Sequence, residues 1–261
     1  MTPPRRRVLI LGGTGEGLAL GRALADDPRF ETTYSVAGRT TSPILPPTAT
    51  RTGGFGGAEG LQFYLEGREI DLIIDATHPF AAQMSANAAE AAAETGTPVL
   101  ALRRPAWIAT DDDRWIDVPS MQAGVDAIGA DPRRVFLTIG QRDLAPFLTA
   151  PQHRYVLRSV EPPPDDLCPP DCLVLTERGP FSLDGERALL AEHRIDVLVT
   201  KNSGGDATRA KLIAARERGI PVIMVARPAL PLATAEVPDV EAALAWLDAA
   251  HGPDLPTDRG V

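Results

Sequence analysis

Cysteine is nearly absent from this chain: only Cys168 and Cys172 occur, both in a proline-rich stretch. They read as incidental thiols of a reducing cytoplasm, and a metal site would need further ligands that the sequence does not place beside them. Long apolar runs are also missing. None approaches the ~20 residues that span a bilayer. The N-terminus carries three arginines, Arg5, Arg6 and Arg7, and passes straight into an apolar run from Val8. No apolar core with a cleavage site follows, so no secretory signal is expected. Histidine is scarce, with four residues and no zinc spacing, and there is no G-x-S-x-G elbow. Metal-dependent and serine hydrolases are therefore poorly supported. Basic residues are outnumbered, 26 against 35 acidic ones, for a formal charge of −9. That balance argues against nonspecific nucleic-acid binding, although local basic spots can still hold a small anion. The expectation is a cytoplasmic protein with no membrane or nucleic-acid partner, a monomer being favoured.

Apolar residues fill 44% of the 261 positions, enough for one large core or two small ones. Short β-branched or apolar runs alternate with alanine-rich helical stretches, the pattern of βαβ units and a mainly parallel sheet. Strands are expected at 8–11, 33–37, 72–75, 99–102, 135–139, 155–159, 173–176, 197–200 and 222–225. Helices are expected at 16–25, 81–94, 144–148, 184–193, 205–218 and 240–249. Residues 43–60 read as a loop with at most one short strand, and 253–261 as a loose tail.

An internal repeat runs through this pattern. Ile70-Asp71-Leu72-Ile73-Ile74 matches Ile195-Asp196-Val197-Leu198-Val199, and Gly96-Thr97-Pro98-Val99-Leu100 matches Gly219-Ile220-Pro221-Val222-Ile223. Arg104-Pro105 matches Arg227-Pro228, and Val8-Leu9-Ile10 lies opposite Val135-Phe136-Leu137, all at an offset of about 125 residues. That period is too long for a solenoid. The fold class expected is α/β: two Rossmann-like parallel-sheet halves with a cleft between them. The domains are placed at 1–110 and 111–250, with a tail over 251–261.

The chemistry should collect at the carboxyl ends of strands, where ligands of such sheets bind. The first strand ends in Gly12-Gly13-Thr14-Gly15-Glu16-Gly17 and enters a helix. Glycines let backbone approach a diphosphate, and the helix N-terminus offers N–H groups. The loop is neither a clean G-x-G-x-x-G, because Leu18 stands where one register wants glycine, nor a Walker A loop. A purely structural turn has the same composition. The second strand ends Ala37-Gly38-Arg39-Thr40. Arginine and hydroxyls there, in place of the acid that holds a ribose 2′-OH, suit a 2′-phosphate and hence NADPH; a solvated surface arginine is the plainer alternative. Asp75-Ala76-Thr77-His78-Pro79-Phe80 places His78 beyond another strand end, facing a ligand or satisfied within a turn. In the second half, Ile139-Gly140-Gln141-Arg142-Asp143 and Lys201-Asn202-Ser203-Gly204-Gly205 are equally polar strand ends. The latter combines an amine, an amide, a hydroxyl and glycines before a helix, and can hold anionic oxygen. Lys201 is also open to a structural reading. Arg158 and Glu161 form a weaker charged edge.

In this order, the glycine loop, Asp75-Ala76-Thr77-His78-Pro79-Phe80, Arg104-Pro105-Ala106-Trp107, Thr138-Ile139-Gly140 and Lys201-Asn202-Ser203-Gly204-Gly205 resemble the precorrin-6A reductase family, including its cobalt-precorrin branch. The likeness covers about residues 6 to 248. It implies an NADPH-dependent reductase of cobalamin biosynthesis that delivers hydride to the macrocycle of precorrin-6A, giving precorrin-6B. Lys201 and His78 are then the catalytic candidates. Gly12, Gly13, Thr14, Gly15, Glu16, Gly38, Arg39, Thr40 and Thr77 would hold the cofactor. Arg104, Gln141, Arg142, Arg158, Asn202, Ser203 and Gly204 would meet an anionic tetrapyrrole, whose acetates and propionates call for cations. Three other readings stand beside it. A short-chain reductase of a small carbonyl would want Tyr-x-x-x-Lys, and none of Tyr34, Tyr64 and Tyr155 has a lysine four residues on. A non-catalytic NADPH-binding redox sensor would account for Gly13 and Arg39 but not for the polar strand ends of the second half, and a reductase of another small conjugated substrate is the remaining alternative.

Overall fold

A computed structural model describes residues 5–38 and 43–249. In chain order the first stretch forms β1 (Arg6–Leu11), α1 (Gly15–Ala25), β2 (Phe30–Val36), β3 (Ala49–Thr52), α2 (Ala58–Gly67), β4 (Leu72–Asp75), α3 (Ala82–Thr95) and β5 (Val99–Leu102). The second forms β6 (Trp115–Val118), α4 (Met121–Ile128), β7 (Arg134–Thr138), β8 (Arg154–Ser159), β9 (Cys172–Thr176), α5 (Leu183–Glu192), β10 (Val197–Lys201), α6 (Ala210–Glu217) and β11 (Val222–Val225). The chain then closes with β12 (Ala235–Val237) and α7 (Val240–Ala249).

Two compact units result, each an α/β Rossmann-like body around a six-stranded parallel sheet. One sheet has the order β12-β5-β4-β1-β2-β3 and the other β6-β11-β10-β7-β8-β9. The inner strands are continuous apolar runs because both faces are covered: every residue of β4, β5 and β11 is buried. In the first unit, Leu20, Leu24, Ala243 and Leu247 of α1 and α7 pack one face, and Leu61, Leu65, Ala88 and Ala91 of α2 and α3 pack the other. In the second, Leu190, Leu212, Ala214 and Ala215 of α5 and α6 cover one face. Side-chain oxygens cap four helix starts: Thr14 accepts from the Gly17 N–H, Ser120 from Ala123, Ser182 from Gly185 and Asp239 from Ala242.

The repeat is real in three dimensions and extends further than the strand matches. Asp71 accepts the Arg7 N–H at 2.9 Å, and Asp196 accepts the Arg134 N–H at 2.8 Å, at the same place in each sheet. The sixth strands are exchanged. β6 follows β5 along the chain but pairs with β11, while β12 follows β11 but pairs with β5. Their surroundings match as well, Asp117-Val118-Pro119-Ser120 with Glu236-Val237-Pro238-Asp239. The division expected at 110 is therefore corrected. Among the described residues, one unit runs to Arg104 and resumes at Pro228, the other is Pro105–Arg227, and the tail expected at 251–261 lies outside the described residues. The cause is β12, a three-residue edge strand docked on β5, and α7, which packs on the first core.

Four elements escape the expected pattern: α2, β6, α4 and β12. The helix expected at 205–218 starts only at Ala210, after the Ser203–Gly205 turn, and that expected at 144–148 is a short 3-10 helix, Ala145–Thr149. The short strand allowed within 43–60 is β3.

Candidate active site

In the first unit β1 lies between β4 and β2, so the connections leave it in opposite directions and a crevice opens at the carboxyl ends of β1 and β4. The β1–α1 loop fills that position. Gly12 must be glycine, since an added Cβ would fall 2.1 Å from Cζ of Tyr34. Gly13 has φ +126°, and nothing lies within 4 Å of the Cβ positions of Gly13 and Gly15. The backbone is thus bare toward solvent. The Gly13 N–H donates to Tyr34 Oη at 3.2 Å, and burial raises the pKa of that phenol. Thr14 ties the loop to β4: its hydroxyl donates to the Ala76 carbonyl at 2.8 Å and accepts the Gly17 N–H at 3.0 Å. Glu16, in the first turn of α1, pairs with Arg104 beyond β5, Oε2 to Nη1 2.8 Å. Gly38 has φ +72°, which only glycine adopts freely. Arg39 and Thr40 lie outside the described residues. Thr77 and His78 leave β4 half-buried. His78 Nδ1 accepts the Phe80 N–H at 3.2 Å, so a neutral ring carries its proton on Nε2.

The second unit repeats the arrangement, with β7 between β10 and β8. Lys201 is the last residue of β10, and its Nζ pairs with Asp143 Oδ2 at 2.5 Å. Arg142 beside it is exposed. Gln141 donates through Nε2 to the Glu161 carbonyl at 2.9 Å and so pins the loop after β8. Asn202 is spent on backbone: Oδ1 accepts the Trp107 N–H at 2.8 Å and Nδ2 donates to the Trp107 carbonyl at 3.0 Å. Trp107 returns its indole N–H to the Gly205 carbonyl at 3.0 Å. Arg227 Nε donates to the Asn202 carbonyl at 2.8 Å and Nη2 to that of Ser203 at 3.1 Å. Gly204, at φ +68°, has no room for a Cβ, which would lie 2.1 Å from the Pro105 carbonyl oxygen. Asn202 and Gly204 therefore shape the Lys201 loop, and Trp107 and Arg227 brace it.

Arg158 is a correction. Its side chain is 5% exposed, packs 3.6 Å over the Phe181 ring centre and pairs with buried Glu186, Nη2 to Oε1 2.7 Å. It belongs to the interior of the second unit. The sequence reading also missed Asp143. Its signal was present: Asp143 stands where Glu16 stands in the first copy, three residues after the matching glycine.

A precorrin-6x reductase family model, CbiJ/CobK, matches residues 7–248. The chain is 48% identical to a precorrin-6A reductase of Rhodobacter capsulatus over 98% of its own length and 99% of the relative's. It is 32% identical to a cobalt-precorrin-6A reductase of Methanothermobacter thermautotrophicus over 86% of its own length and 78% of the relative's. A solved CobK precorrin-6A reductase superposes with a TM-score of 0.89 at 48% identity, covering 98% of this chain and all of that one. The chain belongs to the precorrin-6x reductase family CbiJ/CobK.

Proposed function

We propose that this protein is an NADPH-dependent precorrin-6A reductase, transferring hydride to the macrocycle and giving precorrin-6B. The observation that carries the reading is the bare glycine loop at the crevice of the first sheet, in a chain of a reductase family. The residues present fit the cofactor. Gly13 and Gly15 leave room for a diphosphate, the α1 N-terminus offers N–H groups, and Tyr34 backs the loop without filling it. Gly12 to Glu16 and Thr77 hold it, with Gly38, Arg39 and Thr40 assigned to the adenosine 2′-phosphate. Bound NADPH supplies the hydride, and the chain supplies orientation and charge.

Lys201 gives the second unit a cation at its carboxyl edge, held by Asp143. We assign it to a substrate carboxylate or to the conjugated system that receives the hydride, with His78 also on the substrate side. Arg142 and Ser203 stand with Lys201 as substrate contacts. The metal-free substrate is favoured over the cobalt-bearing one by 48% against 32% identity to relatives of the two kinds. The protein is taken to act in the cytoplasm as a monomer. The test is anaerobic incubation of purified protein with NADPH and precorrin-6A, following nicotinamide oxidation and the tetrapyrrole spectrum together. Tight NADPH binding without consumption would favour the sensor reading instead.

A further inference from the structure

The carboxylate of Asp75 has no part in the reading above. It ends β4, with Leu11 of β1 as register partner on one side and Ala101 of β5 on the other. It is 3% exposed. A carboxylate so far from water is tolerated only when donors surround it, and they do. Oδ1 accepts the Thr77 N–H at 3.2 Å and the Thr77 hydroxyl at 2.7 Å. Oδ2 accepts the Ser85 hydroxyl at 2.6 Å and lies 3.8 Å from Arg103 Nη2. Arg103 in turn pairs with Glu236 at 2.7 Å.

The second copy serves as an internal control. Asp71 and Asp196 occupy the same place in the two sheets, each accepting a backbone N–H from the first strand of its unit. Four residues further on stand Asp75 in one copy and Thr200, also buried, in the other. The repeat thus folds with a neutral residue at this register position, and the buried carboxylate is peculiar to the first unit. Its consequence falls on Thr77. With its hydroxyl hydrogen given to Asp75, the Thr77 oxygen meets any further partner only as an acceptor. A phosphate or carboxylate finds no donor there; a neutral N–H or O–H group does. The turn beyond is held as well, since the Ala81 N–H donates to the His78 carbonyl at 2.7 Å.

We infer that Asp75 is a positioning residue that presents Thr77 as acceptor to a neutral donor on the nicotinamide half of the cofactor, the carboxamide N–H or a ribose hydroxyl. The assignment rests on the NADPH reading. It places this half at β4 because a diphosphate held over β1, with the adenosine ribose toward β2, would leave the nicotinamide half on the other side. The experiment is calorimetric titration of wild type, Thr77→Val and Asp75→Asn with three probes: NADP+, its 3-acetylpyridine analogue and adenosine 2′,5′-bisphosphate. Thr77→Val should weaken NADP+ about five- to tenfold, the scale of one lost hydrogen bond, and Asp75→Asn by less, since an amide Oδ1 can still accept from Thr77. Affinity for the bisphosphate, which lacks the nicotinamide half, should not change. Loss confined to NADP+ identifies the carboxamide as donor, and equal loss with the acetylpyridine analogue identifies the ribose. Parallel weakening of the bisphosphate would reveal a merely structural role and overturn the inference, as would wild-type affinity for NADP+ in Thr77→Val. Should Asp75→Asn not fold, Thr77→Val decides alone. A wild-type protein that binds none of the three probes overturns the NADPH reading and this assignment with it.

Discussion

Replacing Lys201 by alanine removes the cation that ends β10. The side chain is 17% exposed and Asp143 25%, so the pair is screened in part, and its loss should cost about 1 kcal/mol of stability. Domain stabilities run to about 5–15 kcal/mol, so the variant should remain folded. The effect on catalysis should be much larger. A donor that meets charge developing in the transition state is worth roughly 10²–10³-fold in turnover, and a charge-assisted contact to a bound carboxylate about 1.5–3 kcal/mol, or ten- to hundredfold in affinity. NADPH binding, assigned to the first unit, should be nearly unchanged. Asp143→Asn keeps the cation but loosens its hold, and should fall about tenfold, less than Lys201→Ala. The assay is single-turnover NADPH oxidation with precorrin-6A, beside a fluorescence titration of NADPH and a thermal melt. Lys201→Ala with near-normal turnover would refute the reasoning and move the search to Arg142. A folded variant that loses NADPH affinity as strongly as turnover would refute the division of labour between the units.

Arg158→Met, which strips the cation from buried Glu186, should destabilise the fold by about 3–5 kcal/mol, and the double change Arg158→Met with Glu186→Leu should recover most of that in urea titration, with KM for the tetrapyrrole unchanged. Gly12→Ala drives a methyl into Tyr34 and should cost about 1–3 kcal/mol, read as a lowered melting temperature. Burial depresses the pKa of His153, so the folded state resists a proton that the unfolded chain accepts near pH 6.5. Its contribution to stability is complete above that pH and is lost as pH falls through the depressed folded value, so denaturant midpoints should drop as the pH falls below about 6.5, and less so in His153→Gln.

The parts of the fold legible in the sequence are those that burial writes twice. A parallel strand covered on both faces must be apolar at every position, which is why Val8 to Leu11, Leu72 to Ile74 and Val197 to Val199 stand out. An edge strand has one neighbour and a solvent side, so it loses that mark. Ala49-Thr50-Arg51-Thr52 of β3, Trp115-Ile116-Asp117-Val118 of β6 and Ala235-Glu236-Val237 of β12 carry one buried residue or none each. Helix α4 was hidden for a related reason. Gly124 weakens its helical composition, although a Cβ there would meet Ile223 and Val118 only at ordinary contact distances. The strand exchange could not be read from local pattern, because the two edge strands carry matching sequences, Asp117-Val118-Pro119-Ser120 and Glu236-Val237-Pro238-Asp239.

The site divides along a different line. The carboxyl-edge rule turns a position in sequence into a position in space, and it located Gly12 to Glu16, Thr77 and Lys201 without any contact being known. It cannot say whether a polar side chain at that edge faces a ligand or the protein. That depends on partners far along the chain: Asn202 is claimed by Trp107, 95 residues away, and Gln141 by Glu161, 20 residues away. Arg158 is taken by Glu186, whose helix start reads as an ordinary solvated turn. Lysine is the exception, because composition marks it. The chain has only Lys201 and Lys211, and Lys211 is 3% exposed within α6. Where arginine is the ordinary cation, a lone accessible lysine at a strand end is best explained by a use for a compact, strongly hydrated charge. An ammonium held by Asp143 can meet one carboxylate oxygen or a developing charge without the flat two-pronged geometry that a guanidinium imposes.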